Sequence, residues 1–203
     1  MPSEPLILAF DTSGAWCVAA MLSGSEVLAS KSEDMTRGQA ERLMGMLQEL
    51  LDKAGVVWGD LTAIGVGTGP GNFTGIRIAV SAARGLALGL EIPAVGVTGC
   101  EARAHLGDPG TCPAIPAPRD MVYLCDPQDP ARIPRLMPLT DAQTLTEQNH
   151  THLTQDFSQK NLACAIARIA ATRWQDTRHP PAPLYVRAAD AAPSRHAPPV
   201  MLD

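Results

Sequence analysis

The chain has 203 residues, of which 45% are hydrophobic and 18% charged, which is enough to build one large core or two small ones. Its net charge of −5 at pH 7 excludes a protein-wide positive field, so a role near RNA would need a local basic patch. The five cysteines are scattered and form no CxxC pair, which indicates a reducing compartment and argues against a disulfide framework or a zinc knuckle.

The N-terminal segment predicts a buried strand and not a signal peptide. Its apolar run, residues 6–10, follows no basic region and stops at Asp11. The most apolar later segment, residues 76–90, contains Arg77 and Arg84, so we expect no membrane-spanning helix. These features together predict a cytoplasmic protein.

In chain order, the first hundred residues predict the elements β-β-β-α-β-α-β. Strands are expected at residues 6–13, 16–22, 26–32, 62–68 and 93–98, and helices at 37–54, 74–90 and, briefly, 100–105. The expected helix-capping residues are Thr36, Gly55 and either Asn72 or Thr74, with Phe73 as a hydrophobic staple. Three meandering strands followed by alternating helices and strands indicate a mixed sheet covered by helices.

The second half of the chain has a different character. Residues 108–138 carry eight prolines, which argues against long central strands and favours short edge strands. Candidate strands lie at 121–126 and 131–139, candidate helices at 140–148 and 161–174, and the tail from His179 is expected to be extended. We therefore predict an N-terminal domain at residues 1–105 and a small, proline-rich domain at 106–203.

A glycine-rich stretch, GVGTGPGNFTGIRIAV at residues 65–80, leads into the second long helix. Such a turn is typical of phosphate-binding loops, but the stretch lacks the lysine of a Walker A motif and fails the GxGxxG spacing. The sequence therefore favours a tight structural turn, with a phosphate cradle as the alternative. The residues assigned to this structural loop are Gly67, Gly69, Pro70, Gly71, Thr74 and Gly75.

The helices predicted at 37–54 and 74–90 carry more apolar surface than one sheet can cover. A wide apolar arc of this kind is either buried or covered by a partner. We therefore predict that these two helices bind a partner chain. The candidate partner-binding residues are Leu43, Leu47, Leu50, Leu51, Ile76, Arg77, Val80, Ala83 and Arg84.

Five segments of the chain resemble the TsaB (YeaZ) family. They are LAFDTS, RGQAERLMGMLQELL, GTGPGNFTGIRIAVSAARGLALGL, PAVGVTGCEA and PLYVRAADA, and the likeness covers residues 5–103 and 180–193. The resemblance implies an α/β fold of the actin-like ATPase (ASKHA, ribonuclease H-like) type. Two lobes would each hold a mixed sheet with flanking helices, and the second lobe would be shortened.

The resemblance also implies a function. Members of the family act as a non-catalytic, cytoplasmic scaffold in the synthesis of tRNA threonylcarbamoyladenosine (t6A). The chain would form a heterodimer with the catalytic subunit TsaD and help to recruit the ATPase TsaE. It would reach tRNA only through that complex, and isolated chains are expected to form homodimers.

Two sites that catalytic relatives use, a metal site and a nucleotide site, lack some of their residues in this chain. Their metal-binding motif H-H-x-E-G-H aligns with residues 98–103, which read TGCEAR, so no metal site is expected. The nucleotide site of the fold would use Asp11, Thr12 and Ser13, but its second clamp reads PAPRDMVY. We expect no cofactor beyond weak ATP or ADP binding, and Asp11 is favoured as the residue that closes an Asx turn.

Three alternatives stay open at this point. The chain could be a metal-dependent hydrolase of the glycoprotease-like (M22 peptidase) kind, or a weak nucleotide-binding ASKHA protein. It could also bind tRNA directly, since it is rich in arginine. Scattered, solvated charge is the simpler explanation of those arginines, because the chain as a whole is acidic.

Overall fold

The computed structural model describes residues 4–127, 129, 133–155 and 157–186. The strands in this part of the chain are β1 (Leu6–Asp11), β2 (Trp16–Ser23), β3 (Glu26–Asp34), β4 (Ala63–Gly67), β5 (Ala94–Val97), β6 (Thr111–Ala117), β7 (Met121–Leu124), β8 (Arg135–Pro138) and β9 (His152–Thr154). The helices are α1 (Gln39–Ala54), α2 (Phe73–Leu90), α3 (Gly99–Leu106), α4 (Leu139–Gln148) and α5 (Gln159–Arg173). Short 3₁₀ turns lie at Trp58–Asp60 and Trp174–Asp176.

The first sheet has the strand order β3-β2-β1-β4-β5. Strands β1, β2 and β3 form an antiparallel meander, and β4 and β5 run parallel to β1. Parallel neighbours require crossover helices, and α1 and α2 make those connections. The predicted order β-β-β-α-β-α-β and the predicted mixed sheet are confirmed.

Both faces of this sheet are covered. On one face, the apolar side of α1 and α2 packs on Leu8, Phe10 and Ile64. On the other face, Ile166 of α5 packs on residues that include Ile7. Strands β1 and β4 are buried along their whole length. Because both of their faces are covered, their sequences are nearly continuous apolar runs.

Helix α5 comes late in the chain but belongs to the core of the first sheet. It lies within the segment 106–203, yet its buried residues contact strands of the N-terminal half. The second sheet, β8-β7-β6-β9, is covered by α4 through a small core that includes Val122, Leu124 and Ala142. The boundary near residue 105 stays a prediction.

The prediction that the proline-rich segment forms only short edge strands is wrong for β6. This seven-residue strand contains Pro113 and Pro116 and lies between β7 and β9. Residues 114–117 pair with β7, whereas residues 111–113 pair with β9. The two halves of β6 pair mainly with different neighbours, so the missing proline N–H groups break few ladder bonds, and the Pro113 carbonyl still accepts a hydrogen bond from the Cys125 amide.

Two of the predicted helix ends need correction. Helix α1 is preceded by Gly38, at φ 86°, and not capped by Thr36. At α2, Asn72 is the cap, and Phe73 is the first helical residue instead of a staple: its ring stacks on Tyr185. Gly55 ends α1 in the left-handed conformation, as its position after the last apolar residue predicts.

A disulfide joins Cys100 to Cys125, with 5.4 Å between their Cα atoms. The expectation against a disulfide is therefore wrong for this pair. The two residues are 25 positions apart in sequence, and only the docking of α3 on the second sheet brings the first turn of α3 to the residue that follows β7. Cys17, Cys112 and Cys164 are free thiols.

By length and composition alone, α2 could cross a membrane, with a mean hydropathy of 1.3. The core helix of a soluble protein meets the same criterion, so this observation is weak evidence. Ile76, Ala79, Val80 and Ala83 of α2 are buried in the core of the first sheet. The absence of a membrane-spanning segment stays a prediction.

Candidate functional site

The glycine-rich loop that follows β4 packs directly on the turn between β1 and β2. A Cβ atom at Gly71 would clash with the carbonyl oxygen of Ser13, and one at Gly75 would clash with that of Thr12. The hydroxyl of Thr12 donates a hydrogen bond to the Gly75 carbonyl at 2.6 Å. The loop is therefore glycine-rich because two backbone segments approach closely here.

The carboxylate of Asp11 is turned inward, and only 2% of the residue is exposed. Its Oδ1 accepts hydrogen bonds from the Ser13 amide, the Ser13 hydroxyl and the Trp16 indole at 2.8–3.0 Å. The bond from the Ser13 amide closes the Asx turn that the sequence indicates. Asp11 and Thr12 are both engaged within the protein, and of the three candidate nucleotide-binding residues only Ser13 lines the neighbouring cleft.

That cleft lies between the two sheets and has a volume of about 660 Å³. Its walls are the β1–β2 turn, residues 70–73 of the loop and residues 115–118 of the second sheet. Trp16, Phe73, Ile115 and Tyr123 supply most of its large side chains, and no charged side chain of the described residues lines it. Phosphate groups are usually held by cations together with a helix N-terminus; the cap and first residue of α2 reach this cleft, but no cation of the described residues does, so the wall fits phosphate poorly.

Helix α3 and its cap Thr98 hold the residues that were expected at the position of a metal-binding motif, and the helix begins with a capping box. Thr98 Oγ1 accepts a hydrogen bond from the Glu101 amide at 3.1 Å, and Glu101 Oε2 accepts one from the Thr98 amide at 2.8 Å. Arg173 donates to Glu101 Oε1 at 2.7 Å. Burial raises the pKa of the Glu101 carboxyl, but the hydrogen bonds from Thr98 and Arg173 outweigh burial and hold the pKa below its usual value.

Arg103 lies at the last position of that motif and is 95% buried, with 5% of its surface exposed. Its Nη1 donates to the Gly99 carbonyl at 3.2 Å, and its Nε has no hydrogen-bond partner. Burial lowers the pKa of the guanidinium, and the nearby Asp11 carboxylate opposes that shift. The described residues contain no group of three or more His, Cys, Asp or Glu that could hold a metal ion.

Most of the predicted partner-binding residues lie in the core of the monomer. Their exposed fractions are between 0 and 3%, so none of them is available to a second chain: Leu43, Leu47, Leu50, Leu51, Ile76, Val80 and Ala83. The prediction that these seven residues form a partner-binding surface is therefore wrong. An amphipathic pattern shows that a helix face is covered but not whether the chain itself or a partner covers it.

The solvent side of α2 carries Arg77, Ser81, Arg84, Gly85 and Leu88, which we name the α2 stripe. Leu88 is 82% exposed, the largest exposure of any large hydrophobic residue that the structure describes. Arg77 is held by its stacking on Phe73, at 4.0 Å from the ring centre, and by a hydrogen bond to the Tyr185 hydroxyl. Of the predicted set, only Arg77 and Arg84 are thus exposed.

Sequence reasoning missed Leu88, although a signal was present. Arg77, Ser81 and Arg84 mark the polar side of α2, and Leu88 follows Arg84 by four residues, so it lies on the same side. A single exposed leucine is common on protein surfaces, so Leu88 is informative only together with its apolar neighbours. Beside it, a groove of about 480 Å³ runs between Leu88, Ile92 and Pro93 and the segment 177–180.

Known proteins resemble this chain in sequence and in structure. Residues 26–136 match the family model described as TsaD: tRNA N6-adenosine threonylcarbamoyltransferase. The tRNA threonylcarbamoyladenosine biosynthesis protein TsaB of Escherichia coli is 40% identical over 92 residues, which are 45% of this chain and 39% of that protein. TsaB of Bacillus subtilis is 35% identical over 120 residues, 58% of this chain and 52% of that protein.

A solved structure, YeaZ from Pseudomonas aeruginosa, covers 90% of this chain and 100% of its own, with a TM-score of 0.64 and 26% sequence identity. The matched segment spans only about two fifths to one half of the curated relatives' length. The two sheets and five helices fit the predicted actin-like ATPase (ASKHA) fold. The chain belongs to the family that the TsaD model describes and, within it, to the TsaB (YeaZ) proteins.

Proposed function

We propose that this chain is a non-catalytic scaffold subunit in the synthesis of threonylcarbamoyladenosine in tRNA, and that it works in the cytoplasm. The name of the E. coli and B. subtilis relatives refers to that biosynthesis. The observation that carries the scaffold role is Leu88, an apolar side chain that is 82% exposed on a helix made largely of small and apolar residues. Leu88 lines a groove together with Ile92 and Pro93, and contiguous apolar surface of this kind is typical of protein–protein contacts.

We propose that the chain lacks catalytic activity because of residues at the carboxyl ends of β1 and β5. The side chains of Asp11 and Thr12 are engaged in internal hydrogen bonds, and Arg103 brings a buried positive charge to the place of the relatives' metal ligands. A fixed guanidinium disfavours a metal cation nearby. We propose that the chain works without a cofactor, with at most weak ATP or ADP binding. A metal bound in stoichiometric amount by the purified chain would favour the hydrolase alternative instead.

The proposed partner on the α2 stripe is TsaD. Burying the Leu88 side chain would stabilise a complex by about 1.5–3 kcal/mol. Ser81 and Gly85 lie on the same stripe and are small enough to let a second helix approach closely. We propose that the same stripe pairs two copies of the isolated chain, and that recruitment of TsaE requires the heterodimer with TsaD.

The test is co-purification of the full chain with the TsaD protein of the same organism, followed by light scattering with and without TsaE. Leu88→Glu places a charge in the proposed contact and should abolish the heterodimer. Ile133→Glu is the matched control, because Ile133 is also exposed, at 59%, but lies outside α1 and α2. A Leu88→Glu chain that still binds TsaD as the unmodified chain does would contradict the proposed surface.

A further inference from the structure

A second cleft differs from the α2 stripe because basic side chains from several helices line it. It has a volume of about 630 Å³ and lies against β3, the last turns of α1 and α3, and α5. Lys53, His105, Lys160 and Arg168 line it, and no carboxylate of the described residues does. In a chain of net charge −5, three permanent positive charges in one cleft are an exception to the overall balance.

Several basic residues elsewhere in the described chain are paired with acids. Arg42 is bonded to Glu33 and Glu49, Lys31 joins the same network, and Arg173 is bonded to Glu101. In the second cleft, by contrast, Arg168 donates to a neutral group, the Ser25 carbonyl, at 3.1 Å. Within the part of the chain that the structure describes, Arg168 forms no salt bridge.

The cations of α5 lie along one side of the helix. Lys160, Cys164 and Arg168 are spaced by four residues, so their side chains follow one another on the same face. Burial raises the pKa of the Cys164 thiol, while Arg168 and Lys160 pull that pKa down, so both cations act on one thiol in the cleft. Lys160 and Arg168 are eight residues apart, which is about 12 Å along the helix axis.

We infer that this cleft binds the phosphodiester backbone of an RNA strand. A separation of about 12 Å between the two ends of the basic row is too wide for one phosphate group but suits a chain that carries several. Lysine and arginine are the side chains that bind phosphate groups, and a cleft lined by three of them and by no carboxylate of the described residues suits a polyanion. The choice of RNA over other polyanions rests on the proposed function.

The inference goes beyond the scaffold role, which requires no contact between this chain and RNA. The cleft supplies the local basic patch that an acidic chain would need in order to contact RNA. The patch escapes notice in the sequence because its members come from positions 53 to 168 and are brought together only by the packing of α1, α3 and α5 around β3.

The first test measures binding of a fluorescein-labelled, unmodified tRNA transcript to the full chain by anisotropy over a range of salt concentrations. The double variant Lys160→Gln/Arg168→Gln should lose about ten-fold or more in affinity at low salt, and the slope of log K against log salt should become shallower by about 1.4–1.8. The control Arg37→Gln/Arg119→Gln removes the same charge from exposed residues outside the cleft and should stay within about two-fold of the unmodified chain. Equal losses in both double variants, or none in either, would overturn the assignment.

The second test needs no variant. N-ethylmaleimide should alkylate Cys164 more slowly when tRNA is bound, while the buried Cys17 and Cys112 report any general change in folding. A rate at Cys164 that does not depend on tRNA would contradict RNA binding in this cleft. Inorganic phosphate that protects Cys164 when tRNA does not would identify a small-anion site and overturn the RNA assignment.

These outcomes are separate from the test of the scaffold role. Loss of RNA binding in Lys160→Gln/Arg168→Gln with TsaD binding intact would leave the scaffold role standing and support the cleft as an independent site. RNA binding without any complex with TsaD would retain the cleft and remove the scaffold role.

Discussion

Thr12 and Gly75 are joined by a hydrogen bond of 2.6 Å from the Thr12 hydroxyl to the Gly75 carbonyl, across 63 residues of sequence. The bond ties the β1–β2 turn to the first turn of α2. Because the two backbones touch at this point, the loop fills the space on one side of the turn. The glycines of the loop are thereby explained by packing, without a bound phosphate.

The first prediction concerns that contact. Gly75→Ala should destabilise the fold by about 1–3 kcal/mol, because the new methyl group meets the fixed Thr12 carbonyl. Urea unfolding followed by circular dichroism measures the change. Gly85→Ala in the same helix meets no atom within 4 Å and should instead stabilise by about 0.5–1 kcal/mol. Two changes of the same sign would refute this account of the loop.

A second prediction separates the core face of α1 and α2 from their solvent face. Leu47→Ala should cost about 2–5 kcal/mol of unfolding free energy, since Leu47 is fully buried. Leu88→Ala should change the same quantity by less than about 0.5 kcal/mol. Thermal and urea denaturation of the isolated chain test both. A Leu47→Ala chain as stable as the unmodified one would mean that Leu47 is not in the core.

The third prediction is a pH dependence that arises at Glu101. Because its pKa is lowered in the folded state, the carboxylate contributes stability above its unfolded value of 4.5, and that contribution is lost as the pH falls through the folded pKa. Glu101→Gln should therefore cost about 1 kcal/mol at neutral pH, and progressively less towards pH 3.

Urea titrations at several pH values check this prediction. Glu147→Gln, at an exposed position of α4, is the control and should show a small cost that does not change with pH in the same way. A difference between Glu101→Gln and the unmodified chain that grows on acidification would have the wrong sign and would rule out the hydrogen-bonded carboxylate.

The fourth prediction concerns the disulfide between Cys100 and Cys125. Alkylation of the unfolded chain without reductant should label three thiols, Cys17, Cys112 and Cys164, whereas alkylation after reduction should label five. Reduction should also lower the unfolding free energy by about 3 kcal/mol, because the disulfide joins residues 25 positions apart and so closes a loop in the unfolded chain. Five labelled thiols before reduction would show that Cys100 and Cys125 are not linked.

Much of the first sheet could be predicted from the sequence because its elements carry clear periods. The strand β1 is a short apolar run that ends at a polar turn, and the apolar residues of α1 recur every three or four positions. Gly55 marks the end of α1 for a local reason, since glycine adopts the left-handed conformation without strain. Local rules were sufficient where neighbours in sequence set the structure.

The errors arose where distant segments decide the outcome. The inner position of β6 depends on β7 and β9 pairing with different halves of the strand. The disulfide depends on α3 reaching the second sheet. The buried state of Leu47 and Ala83 depends on how α1 and α2 share one sheet face, which no local pattern reveals. The basic cleft, likewise, is assembled from four separate elements.

The claim on which the proposed function depends is that TsaD covers the α2 stripe. Hydroxyl-radical footprinting of the chain, alone and in the presence of TsaD, tests this directly because it reads side-chain exposure at single residues. Leu88 should be modified rapidly in the free chain and be protected in the complex, while Ile133, which is also exposed, should react equally in both. Protection at Ile133 with Leu88 unchanged would contradict the account and place the contact elsewhere on the molecule.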